Sequence, residues 1–543
     1  MDANQKFEEL VNKRMEEFFK YNPSIATYLG KEEYEKEVEP GTKEHIEENL
    51  ERFGQWIEEI KQLDLEKLNL DNQLSVKVME NSHNINVFIH EAYPLWKKQP
   101  SGLDTAQMII FVLFQRKGPT SGVAEVIIAH LNALPKYLDE FQSRFDGSPI
   151  PKVWKDIAIM QTQAIPQFLQ FLAMVFSDAP EISESLKSDL LKALKEAEPV
   201  IQTHVEWIQS LAVDDGEFAW ALGSEKFSQL LSLRKLPWDR ETMLNKGYEL
   251  LKSLTTRAKQ VAKEIDPTKT YDEVVEDLKT NHPPTFEMVL EHTRSEAVRA
   301  KEFVKLHDLA TIPEENLVVV ETPPYLVPII PFAAYIGSPY FDRDQPGVYI
   351  VTPTQDEEGL RRHPYPNISN TMVHEAYPGH HLDATCNNAF APLIRLIGAG
   401  TETIEGWAHY CEEMMLQQGF HEDPKMAELV ILRGQIWRAV RIIVDIELHC
   451  KQRSIEDAIK MLVEEAQMEE GAAKAEVLRY TSNPGYQLSY LIGKLLIDDL
   501  QREVKEQMGD KFSLKFFHDT ILQSGGMPYF LLKEYFEEKI ENI

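Results

Sequence analysis

The chain has 543 residues, a formal net charge of -31 at pH 7 and 43% hydrophobic residues. This hydrophobic content excludes a disordered chain and indicates a globular protein with a large core. Nucleic-acid phosphates are bound by clustered Lys and Arg, and the chain has no basic stripe, so we expect no nucleic-acid partner. We interpret the acidity as a source of solubility, with docking to a partner as the alternative.

Cysteine usage and the apolar runs predict a cytoplasmic protein. Cys386, Cys411 and Cys450 are an odd number with no C-x-x-C spacing, which disfavours a disulfide framework and a structural zinc knuckle. The N-terminal residues show no apolar segment typical of a signal peptide. The apolar run at residues 325–336 is short and contains prolines, so we expect no membrane-spanning segment and no membrane partner.

The spacing of apolar residues predicts a mainly α protein. Over residues 1–300 apolar residues recur at intervals of three and four, so we predict an N-terminal helical region. Residues 316–320 and 347–352 are short β-branched runs bounded by proline and glycine, which is typical of strands. Between these two runs, the four prolines at positions 323, 324, 328 and 331 exclude a long helix. We therefore predict a second region, residues 301–543, that contains a small sheet and forms one continuous body with the first.

Two motifs, V-H-E-A-Y-P-G-H-H-L and the E-G-W-A-H-Y that follows it, contain the side chains of a catalytic zinc site. Such a site uses three protein ligands, often His and Glu, and leaves a fourth position open. We predict that His374, His380 and Glu405 bind one zinc ion per chain. Glu375 directly follows a ligand histidine, and we expect it to act as the general base that deprotonates a water molecule.

The first motif departs from H-E-x-x-H, in which the second histidine follows the first after one helical turn. The fifth position here is Pro378, which ends or kinks a helix. If two residues loop out at this point, His380 takes the one-turn position. In an unbroken helix His381 would lie about 10.5 Å along the axis from His374, too far to share a metal ion. We therefore predict His380 as the second ligand and expect His381 to bond a carboxylate that supports the site.

The helix predicted at residues 403–415 has two distinct faces. Glu405, His409 and Glu412 share one face, which we expect to look towards the metal, while the opposite face is expected to pack. We predict that His409 contacts substrate or supports the metal ligands.

The helix predicted at residues 435–450 is apolar except for one line of side chains, namely Arg438, Arg441, Asp445 and His449. Charges on such an apolar helix must be paired or must face a wet cavity. A buried ion-pair network is one interpretation. In the other, the three charged residues contact substrate or support the ligands, and His449 is catalytic as a stabiliser of the oxyanion.

A third motif, N-P-G-Y-Q-L-S-Y-L-I-G-K, directly follows Ser482. Ser-Asn-Pro at residues 482–484 predicts a helix with proline at its first position. Gln487, Tyr490 and Lys494 would then share one face. Gln487 and Lys494 are candidates for contact with substrate or support of the ligands. Tyr490 is either a core residue or a catalytic one.

The three motifs, in this order, resemble the DUF885 family, which is regarded as similar to the zincin metallopeptidases and especially to their helical carboxypeptidase and oligopeptidase branches. The resemblance implies a large multi-helical zincin-like body with a central cleft and a small sheet beside the active-site helix. It also implies Tyr490 as the donor to the oxyanion. Residues 348–352 would be an edge strand that pairs with an extended peptide, with a purely structural strand as the alternative.

The leading functional prediction is a zinc-dependent metallopeptidase that acts on short peptides. Hydrolysis of a non-peptide amide on the same zinc is an alternative within enzymes. A non-catalytic helical binding protein is the alternative from another class, and the complete set of candidate ligands and base argues against it.

Overall fold

The fold is seen in a computed structural model that describes residues 2–322, 333–342, 344, 346–354 and 356–542. The protein is 70% helix and 3% strand, which confirms a mainly helical protein with a small sheet. The prolines predicted to exclude a long helix, and most of the apolar run that contains them, lie outside the described residues. Within the described part of the chain, no helix is long and apolar enough to cross a membrane.

The chain forms two compact units, which divide the sequence differently from the predicted regions 1–300 and 301–543. The first unit consists of Met1–Val76, His83–Trp220 and Ser338–Pro346, and the second of Lys77–Ser82, Ala221–Gly337 and Gly347–Ile543. Residues 221–300 therefore lie in the second unit. The change from a helical pattern before residue 300 to a strand pattern at residue 316 lies within that unit and does not mark the boundary between the units.

The first unit is helical, and its core consists of apolar side chains that recur along each helix. Trp154 and Tyr93, for example, are both buried and meet edge to face with ring centroids 5.6 Å apart. Most of the following elements belong to this unit: α1 (Ala3–Tyr21), α2 (Pro23–Tyr28), α3 (Lys43–Ile60), α4 (Leu70–Ala92), α5 (Asp104–Lys117), α6 (Ser121–Gln142), β1 (Ile150–Pro151), α7 (Lys152–Ser177), α8 (Glu184–Ser210) and β2 (Val213–Asp214). β1 and β2 pair in parallel.

The second unit contains all three sequence motifs. Its elements are α9 (Ser224–Leu233), α10 (Arg240–Ile265), α11 (Tyr271–Thr280), α12 (Phe286–Leu306), β3 (Leu317–Glu321), β4 (Ala333–Ile336), β5 (Gly347–Val351), α13 (Glu357–Leu360), α14 (Tyr365–Glu375), α15 (His380–Phe390), α16 (Leu393–Leu396), α17 (Thr401–Gln417), α18 (Pro424–His449), α19 (Ile455–Glu465), α20 (Glu470–Tyr480), α21 (Ser489–Met508), α22 (Leu514–Leu522) and α23 (Tyr529–Glu541). Helix α18 supplies much of the core, because its Ile, Val and Leu side chains are almost all buried. It packs against α10, α14, α17, α19 and α21.

The small sheet has the strand order β3-β5-β4. β5 pairs in parallel with β3 and antiparallel with β4, and all five of its residues are buried. The prediction that residues 348–352 form an edge strand is therefore wrong. Both sides of β5 are already hydrogen-bonded to neighbours, so it has no free edge to offer an extended peptide. Its continuous apolar run is the pattern of a central strand that is covered on both faces.

Helices α17 and α21 cross in backbone contact where two glycines meet. A Cβ atom on Gly406 would lie 2.4 Å from the carbonyl carbon of Gly493, and a Cβ atom on Gly493 would lie 2.1 Å from the carbonyl oxygen of Glu402. No side chain fits at either position. The crossing brings Glu405, which precedes the first glycine, close to the segment that leads into α21.

The predicted helix start at residues 482–484 is wrong, because α21 begins at Ser489. The preceding segment is a turn in which Gly485 has a φ of 78°, a conformation that favours glycine. Asp445 on α18 holds this turn by accepting hydrogen bonds from the backbone N–H groups of Gly485 and Gln487, each 3.1 Å long. Gln487 consequently lies before the helix and does not share a helical face with Tyr490.

Candidate metal centre

The first motif forms two helices joined by a short connection. Helix α14 ends at Glu375 and α15 begins at His380, with a cis peptide bond between Tyr377 and Pro378. The chain turns so tightly that a Cβ atom on Gly379 would lie 1.8 Å from the carbonyl oxygen of His374, so only glycine fits. The predicted break in the helix is confirmed. It brings the imidazole rings of His374 and His380 to a centroid distance of 4.9 Å.

Helix α17 anchors this connection and adds a carboxylate to the two histidines. The indole Nε1 of Trp407 donates a 2.9 Å hydrogen bond to the carbonyl oxygen of Pro378. Two residues earlier, Glu405 reaches the histidines: His374, His380 and Glu405 each offer a donor atom, and these atoms lie within 4.8 Å of one another. The structure therefore brings together the three residues predicted as zinc ligands.

The spacing of these donor atoms suits a metal ion. Nε2 of His380 lies 3.5 Å from Oε2 of Glu405. Two donors about 2.1 Å from a tetrahedral zinc ion are about 3.4 Å apart. The pair is therefore separated by the distance that two ligands of one ion require, which is longer than a normal charge-assisted hydrogen bond.

A second group of possible donors, made up of His374, His409 and Glu412, has a different geometry. Nδ1 of His374 donates to Oε1 of Glu412 over 2.8 Å, and Nδ1 of His409 donates to the same oxygen over 2.9 Å. Nδ2 of Asn370 donates to the other oxygen over 2.9 Å. These are hydrogen-bond distances, so we assign Glu412 to the support of His374 and leave Nε2 of that histidine for a metal ion. The predicted supporting role of His409 agrees with this geometry.

Glu405 is held as an anion by two neighbours. Its Oε1 accepts a 2.6 Å hydrogen bond from the hydroxyl of Tyr486, in the turn before α21. Burial alone would raise the pKa of the Glu405 carboxyl, but the His380 imidazole and the Tyr486 hydroxyl outweigh burial and lower that pKa to about 2. A charged carboxylate is the form that binds a metal cation.

Glu412 was predicted to face the metal but was given no role, and Tyr486 was not among the predicted site residues. Glu412 lies seven positions after Glu405, which returns it to the same face of α17. Tyr486 lies inside the third motif, but the prediction that a helix begins before it concealed the turn that directs it towards Glu405.

The predicted base and oxyanion donor lie beside these ligands. Glu375 is partly exposed at the end of α14, and its charge is one of those that raise the pKa of the His380 imidazole. The ring of Tyr490 is 5.8 Å from the ring of Tyr486. Burial, together with the charge of Glu405, raises the pKa of Tyr490, so its hydroxyl remains protonated and able to donate.

His381 points away from the three candidate ligands. Its Nε2 bonds to the carboxylate of Glu315, and its Nδ1 lies 2.9 Å from the hydroxyl of Tyr335. Glu315 also accepts a 2.5 Å hydrogen bond from Tyr377 and pairs with Lys301 at 2.5 Å. Both ring nitrogens of His381 are thus engaged, and the predicted bond to a carboxylate is present.

The four polar side chains predicted to lie along one side of α18 have different surroundings. Asp445 holds the turn that carries Tyr486, so it supports a candidate ligand indirectly. Nε of Arg441 donates to the hydroxyl of Tyr480 over 2.9 Å and its Nη2 bonds Glu476 at 2.6 Å, which makes Arg441 part of a buried ion-pair network. Arg438 forms no such pair with the residues that the structure describes.

His449 does not reach the candidate centre, which corrects the prediction that it is catalytic. Its ring is fully buried, stacks on Phe227 with centroids 6.1 Å apart and donates from Nε2 to the carbonyl oxygen of Tyr480 over 2.9 Å. It is the last residue of α18, one turn beyond Asp445. Burial lowers the pKa of His449 to about 4, so the ring is neutral near pH 7.

The two remaining predicted residues are Lys494, which is paired with carboxylates, and Gln487, which is buried. Nζ of Lys494 pairs with Glu413 at 2.9 Å and with Asp498 at 2.6 Å, so its charge is already balanced and the prediction that it contacts substrate is not supported. The carboxamide of Gln487 is buried and has no hydrogen-bond partner among the described residues.

Residues 23–535 match the model of a family described as "Bacterial protein of unknown function (DUF885)". The chain belongs to this family. All the candidate ligands lie within the DUF885 match. No curated protein matches the chain.

Two solved structures are similar to this DUF885 chain over nearly its whole length. A predicted lipoprotein of unknown function from Shewanella oneidensis is 20% identical, with a TM-score of 0.78 over 97% of this chain and 99% of that one. A predicted lipoprotein from Colwellia psychrerythraea is also 20% identical, with a TM-score of 0.85 over 100% of both chains. At this level of identity the likeness shows that the fold is shared.

Proposed function

We propose that the protein is a zinc-dependent metallopeptidase with a zincin-like body, and that it hydrolyses peptide bonds in short peptides. The observation that carries the proposal is the group formed by His374, His380 and Glu405, whose donor atoms lie within 4.8 Å of one another directly beside Glu375. Two imidazoles and one carboxylate are a donor set that zinc accepts once the imidazoles have lost their protons, and Glu375, which forms no ion pair with the described residues, is in the position of a base.

The residues around this group each have a role in the proposed reaction. A bound zinc ion would lower the pKa of a water molecule and polarise the scissile carbonyl. Glu375 takes a proton from the attacking water and returns it to the leaving amine. Tyr490 donates a hydrogen bond to the oxyanion that develops on the carbonyl oxygen.

The supporting residues keep two ligands in the required states. Glu412 accepts the Nδ1 proton of His374 and so fixes the tautomer of that ring. Tyr486 orients Glu405 through the hydrogen bond to its Oε1. This second layer of hydrogen bonds favours a working centre over the alternative of a helical binding protein without catalysis.

The test combines metal analysis with digestion of a mixed pool of short peptides, followed by mass spectrometry. We expect about one zinc ion per chain, loss of cleavage on chelation and recovery on addition of zinc. Undiminished cleavage by protein shown to be metal-free would overturn the proposal. A pool left intact by zinc-loaded protein that hydrolyses non-peptide amides would favour the amidohydrolase alternative.

A further inference from the structure

Arg438 is a cation beside the candidate centre that has no counter-ion within the described part of the chain. Its guanidinium lies 4.2 Å from the ring centroid of Trp437 and 5.6 Å from that of Tyr490. Among the described residues no carboxylate pairs with it, and its Nε is buried without a hydrogen-bond partner. The side chain as a whole is partly exposed, so a ligand can reach it.

The neighbouring cations differ from Arg438 in this respect. Arg441, one turn further along α18, is bound to Glu476, and Lys494 on α21 is bound to Glu413 and Asp498. A partly desolvated guanidinium without an anion is costly, and the cost is relieved when a ligand supplies the anion.

A series of side-chain contacts links Arg438 to the candidate ligand Glu405. Its guanidinium contacts the ring of Tyr490, that ring contacts Tyr486, and Tyr486 donates to Glu405. The charges of Arg441, Glu412 and Glu405 act on the Arg438 guanidinium, which is further evidence that it lies near the ligands. Arginine keeps its charge in proteins, so the cation is present at any pH at which the protein is folded.

We propose that Arg438 binds the free C-terminal carboxylate of the peptide, so that the site releases residues from the C-terminal end. The planar guanidinium fork matches a carboxylate and forms two charge-assisted hydrogen bonds with it. Successive residues of a peptide are about 3.8 Å apart, so the terminal carboxylate of a substrate cut at its last bond lies close to the scissile carbonyl. A carboxylate-binding cation next to the ligands therefore selects the last peptide bond. This inference rests on the proposed peptidase function.

Three matched peptides with blocked N-termini test the inference with the zinc-loaded, full-length protein. The first two share one sequence and end in a free carboxylate or in a C-terminal amide. The third also ends in an amide, but its last residue is replaced by glutamate. The third peptide separates a terminal carboxylate from a side-chain carboxylate. We expect kcat/KM for the free acid to exceed that for either amide by about 10- to 100-fold, since two charge-assisted hydrogen bonds are lost. The first product should be the single C-terminal amino acid.

Two arginine variants on the same helix sharpen the test. In Arg438→Gln the preference for the free acid over the amide should fall to near one, mainly through a higher KM for the free acid. In the control Arg441→Gln the melting temperature should fall because Glu476 loses its buried arginine partner, but the preference for the free acid should remain.

Several results would overturn the inference. One is equal cleavage of the free acid and either amide by the wild-type protein. Another is an Arg438→Gln variant that keeps the preference, or that loses activity on the free acid and the plain amide by the same factor. The wild-type comparison does not depend on the folding of any variant. If zinc-loaded wild-type protein cleaves none of the peptides, both the proposed function and this inference are wrong, whereas cleavage without a preference contradicts the inference alone.

Discussion

Nδ1 of His374 lies 2.8 Å from Oε1 of Glu412, and because a carboxylate can only accept, the imidazole donates the proton. This hydrogen bond leaves the lone pair of the His374 ring on Nε2. Asn370 and His409 donate to the same carboxylate, so its orientation is fixed from three sides. Glu412 therefore controls both the tautomer and the direction of a candidate zinc ligand without contacting the metal itself.

The first prediction is that Glu412→Gln weakens zinc binding by about 10- to 100-fold, the usual effect of removing a hydrogen-bond partner from a ligand histidine. The amide can still accept one hydrogen bond, so we expect the fold to persist. Competition with a chromogenic chelator gives the zinc affinity. The neighbouring variant Glu413→Gln is the control, because Glu413 bonds Lys494 and Gln435 and does not touch His374. Equal weakening in both variants would show that Glu412 has no specific role.

The second prediction separates the roles of two glutamates. Glu375→Gln should keep zinc occupancy and lower kcat by about 100-fold or more, because it removes a positioned general base. Glu405→Gln should lower zinc occupancy itself, because it replaces a charged ligand. Elemental analysis and peptide turnover, measured on the same samples, distinguish the two outcomes. Equal loss of zinc in both variants would contradict the assignment.

The third prediction concerns the adjacent histidines. His380→Ala should lose zinc, because its Nε2 lies 3.5 Å from Glu405 within the donor set. His381→Ala should retain zinc but melt at a lower temperature, because it removes a fully buried ring that bonds Glu315 and Tyr335. Zinc analysis and thermal unfolding measure these effects. Full zinc occupancy in His380→Ala would exclude His380 as a ligand.

Local rules predicted the break in the first motif but not the strand order. Proline at position 378 ends a helix whatever its surroundings, so the two-residue excursion before His380 could be inferred from the sequence. The position of β5 depends on which strands pair on either side of it, and the paired residues are 12 to 30 positions apart, beyond the reach of a local pattern. The sequence identified a strand, and only the structure shows that it is central.

The contacts between helices explain the other differences. The spacing on α17 predicted which side chains share a face, but not that Glu412 would meet His374 on α14. Similarly, Ser-Asn-Pro is a valid helix start, yet Asp445 on α18 captures the backbone N–H groups of the next residues and holds them in a turn. Such a partner lies about 40 positions away in sequence and no local rule includes it.

The fourth prediction is a pH dependence of stability that arises from Glu476. Burial alone would raise the pKa of this carboxyl, but Arg441, Arg479 and the hydroxyl of Tyr480 lower it to about 2. Because the pKa in the folded state is below the unfolded value of about 4.3, the stabilisation is fully present above that value and is lost as the pH falls towards 2. The shift corresponds to about 3 kcal/mol at neutral pH.

Glu476→Gln should accordingly lower the free energy of unfolding by about 3 kcal/mol at pH 7, and the difference from wild type should fall to about half or less at pH 3. Denaturant titrations at the two pH values give these free energies. Glu464→Gln is the control, because Glu464 is exposed on α19 and forms only a solvent-exposed pair with Lys460, which contributes little at either pH. A difference between Glu476→Gln and wild type that does not change with pH would show that the Arg441–Glu476 pair does not stabilise the folded state through charge.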